Sequence, residues 1–229
     1  MEIDNHFYVI VVAGGSGKRM GNATPKQFIS LNGQPVLMHT LNAFYTNEYQ
    51  PQIILVLPEI ENFFWNQLTE EHQFKIPHQI VFGGIERFHS VKNALAMITD
   101  TNAVIAIHDG VRPLVSQKTI SNCFQSALAK GNAIAAIPSK DSVRQVKNNQ
   151  SEALNRSEIY LVQTPQTFSF EQLRVAYKQE YSLNFTDDAS VVEKAGFPIH
   201  IENGDEFNFK ITFKEDLIIA EALFQSNQI

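Results

Sequence analysis

The chain has 229 residues, of which 44% are hydrophobic and 18% charged, and its formal net charge is −6. These values are typical of a soluble globular protein, and the length suits one large domain with a substantial core. The acidic balance argues against nucleic acid as the main partner, because no basic face of sufficient size can form.

Neither membrane insertion nor export is expected from the sequence. No apolar run approaches the roughly 18 residues of a membrane span. The N-terminal residues 1–4 (MEID) are acidic where a signal peptide is basic. The single cysteine, Cys123, excludes an intrachain disulfide and suits a reducing compartment. We therefore expect a cytoplasmic protein, with Cys123 as a buried structural thiol in an apolar helical pattern.

Strand-like and helix-like segments alternate along most of the chain, which predicts an α/β fold with a mostly parallel sheet covered by helices. The predicted strands are Phe7–Val12, Gln52–Leu57, His78–Phe82, Ala103–Ile107, Ala133–Ile137 and Pro198–Ile201. The predicted helices are Pro35–Tyr45, a segment from Pro58 through Leu68, Arg87–Met97, Gln117–Ala129, Phe170–Tyr181, Asp188–Ala195 and Lys214–Phe224.

Residues 141–163 interrupt this alternation. The segment is polar, lacks a helical period and contains the turn-like Lys147-Asn148-Asn149. We interpret it as a two-stranded excursion from the body. The sequence thus predicts a single domain over residues 1–229 with a protruding β-arm at about 139–163.

The first predicted strand leads into a glycine-rich, basic loop. Gly14, Gly15 and Gly17 lie within four consecutive positions, and the cations Lys18, Arg19 and Lys26 follow them. Backbone N–H groups of such a turn converge on an anion, and lysine and arginine add positive charge. The alternative is an ordinary turn with solvated basic residues. Because the rest of the chain is acidic, the crowding of three cations favours a polyphosphate site.

Two familiar phosphate-binding loops are excluded by their spacing. The Walker pattern requires glycine and a hydroxyl residue at positions that Val12 and Arg19 occupy here. The dinucleotide pattern G-x-G-x-x-G requires a third glycine at the position of Met20. The loop therefore belongs to a different class of nucleotide-binding loop.

Polar clusters follow the third and fourth predicted strands, at the sheet edge where α/β proteins bind ligands. Gly83 and Gly84 permit close approach of a flat group such as a base, and Ser90 can hydrogen-bond a base edge; a turn capped by serine is the alternative. Asp109 stands at a usual place for a Mg²⁺ ligand, and Arg112 suits an anionic second substrate. The alternative there is a helix cap with a solvated arginine.

His108 and two further polar clusters have less specific interpretations. His108 is a packed residue rather than a ligand, because no second His or Cys has metal-ligand spacing. A third cluster joins Arg156 to residues 163–166 (QTPQ), and a fourth pairs residues 186–188 (TDD) with 208–212 (NFKIT). The two aspartates of TDD are equally well explained as helix caps. Lys210 lies in an apolar, strand-like context and needs an anionic partner.

Six segments in order give the chain its resemblance to a known family. They are AGGSGKRM with PKQF, GGIERFHSV, HDGVRP, QTPQTF, TDDASVVEKAG, and NFKIT followed by Asp216-Leu217. Together they resemble the 2-C-methyl-D-erythritol 4-phosphate cytidylyltransferase family over residues 13–221. The resemblance implies a three-layer α/β/α, Rossmann-like nucleotidyltransferase fold. It also implies transfer of CMP from CTP to 2-C-methyl-D-erythritol 4-phosphate, a divalent cation such as Mg²⁺, and a homodimer joined through the β-arm.

The resemblance also implies roles for individual residues. Residues that bind the CTP phosphates and stabilise the transition state are Arg19, Lys26 and Lys210. Nucleotide-binding residues are Ala13, Gly14, Gly15, Gly17, Gly83, Gly84 and Ser90. Residues that contact the second substrate are Asp109, which also binds the metal, Arg112, Ser142, Arg156 and Thr164. Arg156 is expected to reach the site of the other subunit.

Two departures from the family pattern leave alternatives. Ser142 stands where the family usually has threonine, and the hydroxyl is retained. Val111 replaces the common alanine, and this valine also occurs in the related ribitol-5-phosphate cytidylyltransferases. GGIERFHSV and TDDAS favour the methylerythritol family. A non-catalytic nucleotide-binding module is a further alternative, against which the joint presence of Lys26, Asp109 and Lys210 argues.

Overall fold

The computed structural model describes residues 6–14 and 24–226. The strands are β1 Phe7–Val12, β2 Ser30–Leu31, β3 Gln34–Pro35, β4 Gln52–Leu57, β5 Gln79–Phe82, β6 Val104–Asp109, β7 Asn132–Pro138, β8 Arg144–Lys147, β9 Gln150–Ala153, β10 Tyr160–Ser169 and β11 Ile201–Asn203. The α-helices are α1 Val36–Tyr45, α2 Asn62–Glu71, α3 Arg87–Leu95, α4 Gln117–Lys130, α5 Phe170–Ala176, α6 Asp188–Lys194 and α7 Lys214–Gln225. Among the described residues, no helix is long and apolar enough to cross a membrane.

Seven strands form the central sheet in the order β11-β7-β10-β6-β1-β4-β5. The pairs β1–β4, β1–β6, β4–β5 and β7–β11 are parallel, whereas β10 is antiparallel to both β6 and β7. The expected mostly parallel sheet is therefore confirmed. Strand β10 was not predicted, because its polar run TPQT lacks an apolar strand pattern.

Helices cover both faces of this sheet, which confirms the three-layer α/β/α fold. On one face, Val9 and Val11 of β1 pack in a core with α1, α2 and α4. On the other face, Ile10 packs in a second core with α3, α5 and α6. The alternation along β1 follows from the two-residue period of a strand. Since β1 has β4 on one side and β6 on the other, the chain reverses its winding there, and a ligand crevice opens beside the strand's carboxyl end.

A two-stranded hairpin interrupts the sequence between β7 and β10. Strands β8 and β9 pair antiparallel, and their residues are all exposed. Asn148 and Asn149 have φ of 49° and 61° at the tip, as a two-residue hairpin turn of this hand requires. Residues 160–163 of the predicted arm belong instead to β10 of the central sheet, because Tyr160 pairs with Pro138 of β7.

Two residues expected to be packed are buried. Cys123 of α4 is completely buried, and its burial raises the pKa of the thiol to about 12. His108 is also completely buried, packs edge-on against the Phe44 ring, and is within 3.2 Å of the Arg112 carbonyl oxygen. Burial lowers the pKa of His108 to about 3, so the ring is neutral. Both expectations are confirmed.

Candidate active site

A cavity of about 210 Å³ opens at the carboxyl ends of β1 and β6. Its lining includes Lys26, Gly84, Arg87, Ser90, Asp109 and Lys210. A larger cavity of about 920 Å³ lies beside β4 and the start of β5, and none of its described lining residues is a lysine or arginine. The smaller cavity is therefore the one suited to a polyanion.

Asp109 lies at the centre of this cavity because it is the last residue of β6. Its Oδ2 atom is 3.1 Å from Arg112 Nε and 3.2 Å from Lys210 Nζ. Burial alone would raise the pKa of this carboxyl, but the positive charges of Lys210, Arg87 and Arg112 outweigh it. They hold the pKa of Asp109 well below its ordinary value. Asp109 is thus ionised at neutral pH.

The alternative of a helix cap with a solvated arginine does not describe this cluster. The next helix, α4, begins at Gln117 and is capped by Ser116. Arg112 is only 9% exposed, and its Nη1 atom donates a hydrogen bond of 2.8 Å to the Asn208 carbonyl oxygen. Arg112 is not one of the residues that line the cavity, and its Nε contact at 3.1 Å supports the Asp109 carboxylate.

Thr164 contacts the backbone of the same aspartate. Its Oγ1 atom accepts a hydrogen bond of 3.1 Å from the Asp109 amide. The peptide bond between Thr164 and Pro165 is cis, and the register of β10 against β7 shifts at this point. Because Thr164 is only 6% exposed and its hydroxyl binds the Asp109 amide, it helps to fix the position of Asp109.

Lys210 reaches the cavity from an irregular segment. Residues 204–213 contain neither helix nor strand, so the strand context expected for Lys210 is wrong. The anionic partner expected for it is present, since its Nζ atom contacts Asp109. The Lys210 side chain remains 41% exposed, and it can therefore contact a ligand in the cavity as well.

Lys26 also lines the cavity and comes from a different segment of the chain. It begins a short 3-10 helix, Lys26–Phe28, and is 8% exposed. The next residue, Gln27, ties this turn to the end of β1, because its Nε2 atom donates to the Ala13 carbonyl oxygen at 2.9 Å. The same atom donates to Glu61 Oε2 at 2.6 Å. Gly14 and Ala13 also line the cavity. Residues Gly15, Gly17, Lys18 and Arg19 lie outside the described part of the chain.

The segment after β5 closes the cavity on the side expected to bind a base. The Gly84 amide donates to Ser90 Oγ at 3.1 Å, and this hydroxyl donates to the Glu86 carbonyl oxygen at 3.2 Å. These bonds are those of a serine-capped turn, yet Gly84 and Ser90 also line the cavity. A Cβ atom on Gly84 would lie 2.4 Å from His89 Cβ, so the turn requires glycine there. Gly83 precedes it and donates to the Leu57 carbonyl oxygen.

A partly buried ion pair in the same wall was not predicted from the sequence. Arg87 lines the cavity, and its Nη2 atom is 2.6 Å from Asp188 Oδ2. The Tyr177 hydroxyl donates to Asp188 Oδ1 at 2.6 Å. Asp188 was interpreted as one of two possible helix caps, but the cap of α6 is Asp187. The signal available was only that Arg87 and Asp188 both lie in family-like segments.

Two predicted substrate contacts lie on the arm. Ser142 and Arg156 are exposed, and neither lines the cavity. Arg156 Nη1 donates a hydrogen bond of 3.0 Å to the Lys140 carbonyl oxygen within the arm. Within this chain, therefore, the structure does not bring these two side chains to the cavity.

The cavity is compatible with a divalent cation carried by a phosphate ligand. Among the described residues, no group of three or more His, Cys, Asp or Glu side chains is able to hold a metal ion. Mg²⁺ in phosphate-binding sites is typically held by one or two carboxylates, with substrate oxygens and water completing its shell. The ionised carboxylate of Asp109 at the cavity meets that requirement.

Comparison with known proteins gives a consistent result. The family model of 2-C-methyl-D-erythritol 4-phosphate cytidylyltransferase matches residues 7–226. The protein of that name from Bacteroides fragilis is 49% identical over 214 residues, covering 93% of this chain and 97% of that protein. The one from Azobacteroides pseudotrichonymphae is 50% identical over 218 residues, covering 94% and 97%.

Solved structures with similar names share the fold. The 4-diphosphocytidyl-2C-methyl-D-erythritol synthase of Anaerococcus prevotii has a TM-score of 0.82 at 26% identity, covering 96% of this chain and 99% of that chain. The 2-C-methyl-D-erythritol 4-phosphate cytidylyltransferase of Francisella tularensis has a TM-score of 0.78 at 32% identity, covering 95% and 99%.

Proposed function

The chain belongs to the 2-C-methyl-D-erythritol 4-phosphate cytidylyltransferase family, and we propose that the cavity around Asp109 is where it carries out that family's reaction. It is a nucleotidyltransferase that transfers the cytidylyl group of CTP in isoprenoid precursor biosynthesis. The acceptor is 2-C-methyl-D-erythritol 4-phosphate, and pyrophosphate is released. The observation that carries the placement is the convergence of Lys26, Lys210 and Asp109 on one cavity.

The reaction proceeds by in-line attack of the acceptor's phosphate oxygen on the α-phosphorus of CTP. A phosphate monoester has a second pKa of about 6 and is already anionic at neutral pH, so no general base is required. The protein must align two polyanions and offset the charge that grows on the α-phosphoryl oxygens and the leaving pyrophosphate. Lys26 and Lys210, which both line the cavity, supply that charge together with Arg19.

Different residues are assigned to the nucleotide and to the metal. Ala13, Gly14, Gly15 and Gly17 are assigned to the triphosphate, and Gly83, Gly84 and Ser90 are assigned to the cytosine. Asp109 would hold Mg²⁺ or another divalent cation, which would offset phosphate charge. Asp109 also orients the second substrate. Arg112 and Thr164 contribute by fixing Asp109, through the Arg112 Nε contact at 3.1 Å and the Thr164 Oγ1 bond at 3.1 Å.

The arm completes the site in a homodimer. Ser142 and Arg156 are exposed on an arm that leaves the body, so their proposed contacts with the acceptor are made in the partner's cavity. To test this, an Arg156→Ala chain is mixed with a Lys26→Ala chain. Verified heterodimers contain one site with both residues intact, and recovery of activity supports the proposal. Absence of recovery contradicts it.

The partners are small molecules, not nucleic acid, and the location is the cytoplasm. The net charge of −6 and the single cysteine support both statements.

Pyrophosphate release with defined acceptors tests the proposed substrate. The purified chain is given CTP and Mg²⁺ with 2-C-methyl-D-erythritol 4-phosphate, with ribitol 5-phosphate, or with neither. Higher kcat/KM with the methylerythritol acceptor is expected. Preference for ribitol 5-phosphate would assign the chain to the activity that Val111 suggests. If neither acceptor gives CTP-dependent release of pyrophosphate, the result would favour the alternative of a non-catalytic nucleotide-binding module.

A further inference from the structure

Lys210 is held beside Asp109 without the support of regular secondary structure. Its Nζ atom lies 3.2 Å from Asp109 Oδ2, yet residues 204–213 belong to no helix or strand. An irregular segment with a half-exposed lysine at its centre has no hydrogen-bond ladder to define its position. Other contacts must therefore fix the backbone on either side of Lys210.

Gln163 of β10 binds the start of this segment. Its Nε2 atom donates to the Asp205 carbonyl oxygen at 2.8 Å, and its Oε1 atom accepts from the Asp205 amide at 3.2 Å. The side chain thus satisfies both backbone groups of one residue, as a neighbouring strand would. A Cβ atom at Gly204 would lie 2.5 Å from Gln163 Oε1, so the close approach depends on glycine. Gln163 itself is 5% exposed.

Asn208 binds the segment closer to the lysine. It is completely buried, and its Nδ2 atom donates to the Thr164 carbonyl oxygen at 2.7 Å and to Gln163 Oε1 at 3.3 Å. The backbone carbonyl oxygen of Asn208 accepts from Arg112 Nη1 at 2.8 Å. On the other side of Lys210, the Ile211 amide donates to the Val111 carbonyl oxygen at 2.9 Å. The backbone is therefore fixed two residues before Lys210 and one residue after it.

The same short piece of β10 also fixes the other half of the ion pair. Thr164, which follows Gln163, accepts the hydrogen bond from the Asp109 amide. Consecutive residues of one strand therefore locate Asp109 and the segment that carries Lys210. We propose that Gln163 and Asn208 are positioning residues that hold Lys210 against Asp109 for cytidylyl transfer. This inference rests on the proposed role of Lys210 in the reaction.

Isosteric substitutions remove the donors with little change of shape. In Asn208→Asp, a carboxylate oxygen faces the Thr164 carbonyl and Gln163 Oε1 atoms, which are both acceptors. In Gln163→Glu, the donor to Asp205 is lost and the acceptor is kept. A misplaced Lys210 should lower kcat/KM by about 10- to 100-fold, because small displacements of a catalytic group have effects of this size. Asn203→Asp, an exposed residue of β11 with the same charge change, is the matched control and should retain wild-type kcat/KM.

A double-mutant cycle with Lys210→Ala separates positioning from a general structural role. If Asn208 acts through Lys210, Asn208→Asp lowers kcat/KM in the wild-type background and has little further effect once Lys210 is alanine. A merely structural role predicts the same fractional loss in both backgrounds. Should Asn208→Asp fail to fold, by circular dichroism and thermal unfolding, the Gln163→Glu cycle decides the question in the same way.

The outcomes separate this inference from the function on which it rests. Near-wild-type turnover of Lys210→Ala would overturn the assignment of Lys210, and the inference with it. Suppose that Lys210→Ala strongly lowers kcat/KM and that Asn208→Asp lowers it by the same factor in both backgrounds. This result would overturn the positioning role alone. Near-wild-type kcat/KM for both isosteric variants would also overturn it. Non-additivity through Lys210, with Asn203→Asp unaffected, supports it.

Discussion

Two ion pairs of the same chemical kind face the cavity, and they differ in burial and in hydrogen bonding. Arg87 and Asp188 approach to 2.6 Å, with the aspartate side chain fully buried and its second oxygen bonded to Tyr177. Lys210 and Asp109 approach to 3.2 Å, with the lysine side chain 41% exposed. Asp109 also retains Arg112 as a second cation.

This difference indicates that the Arg87–Asp188 pair stabilises the fold, whereas the Lys210–Asp109 pair serves the reaction. Each oxygen of Asp188 has a partner inside the protein, and removal of one partner would leave a buried group unsatisfied. Lys210 is able to contact an incoming phosphate from its place beside Asp109, because its side chain is 41% exposed and Arg112 also pairs with the aspartate. We therefore expect changes in the Arg87–Asp188 pair to reduce stability, and changes in the Lys210–Asp109 pair to reduce turnover.

The largest expected loss of stability is that of Asp188→Asn. Asparagine keeps the shape of the side chain but carries no charge, so Arg87 loses its counter-charge. The amide oxygen can still accept from Arg87, and the amide nitrogen can donate to the Tyr177 hydroxyl, which also accepts. Removing one partner of a buried pair costs about 3–5 kcal/mol, and because the Arg87 side chain is 31% exposed we expect a loss of about 3 kcal/mol. The free energy of unfolding is measured by urea denaturation. Asp187→Asn is the neighbouring control. Asparagine at this position still caps α6 but weakens the hydrogen bond from Gln166, so we expect the free energy of unfolding to fall by about 1 kcal/mol. Equal effects of both variants would contradict the distinction.

A smaller loss is expected for Tyr177→Phe. The ring keeps its stacking on Phe88, at 4.8 Å between centroids, while the hydrogen bond to Asp188 Oδ1 is lost. A hydrogen bond to a charged group contributes about 1.5–3 kcal/mol. Urea denaturation compares this variant with Tyr45→Phe, whose side chain is 48% exposed. If Tyr177→Phe were as stable as Tyr45→Phe, the hydroxyl would not support the pair.

A further expected effect on stability is the pH dependence that Asp109 contributes. Its pKa is depressed in the folded protein, because nearby cations outweigh the effect of burial. Its unfolded pKa is about 3.9. The stabilisation from ionised Asp109 is therefore complete above the unfolded pKa and decreases as pH falls from there towards the folded pKa. Unfolding of wild type and Asp109→Asn is compared at a series of acidic pH values. The wild-type free energy relative to the variant should decrease below about pH 4; a constant difference would contradict it.

Much of the fold was predictable because its parallel strands are apolar runs. Gln52–Leu57 has strand residues that are buried in any α/β arrangement, and the structure confirms its bounds. Strand β10 was not predictable in this way, since Gln163 and Thr164 are polar and are buried through hydrogen bonds to distant segments. Lys210 shows both cases. The prediction of an anionic partner was correct, whereas the prediction that Lys210 lies in a strand was wrong.

The cavity was predictable only in part, because some of its contacts join segments that are distant in the sequence. Asp109 and Ser90 follow strands whose ends meet at one edge of the sheet, so their proximity follows from the fold class. Arg87 and Asp188 are 101 residues apart, and their pairing depends on how α3 and α6 pack on the same face. No periodicity or spacing within either segment indicates that contact.

The most direct test of the distinction is the Lys210→Ala variant, measured for both kcat/KM and the free energy of unfolding. We predict a fall in kcat/KM of about 10²–10³-fold, as for loss of one preorganised charge donor. Because the Lys210 side chain is 41% exposed and Arg112 still pairs with Asp109, stability should change by less than about 1 kcal/mol. Lys118→Ala, an exposed lysine of α4, should match wild type in both measurements. Near-wild-type turnover, or a loss of turnover matched by a loss of several kcal/mol of stability, would contradict the account.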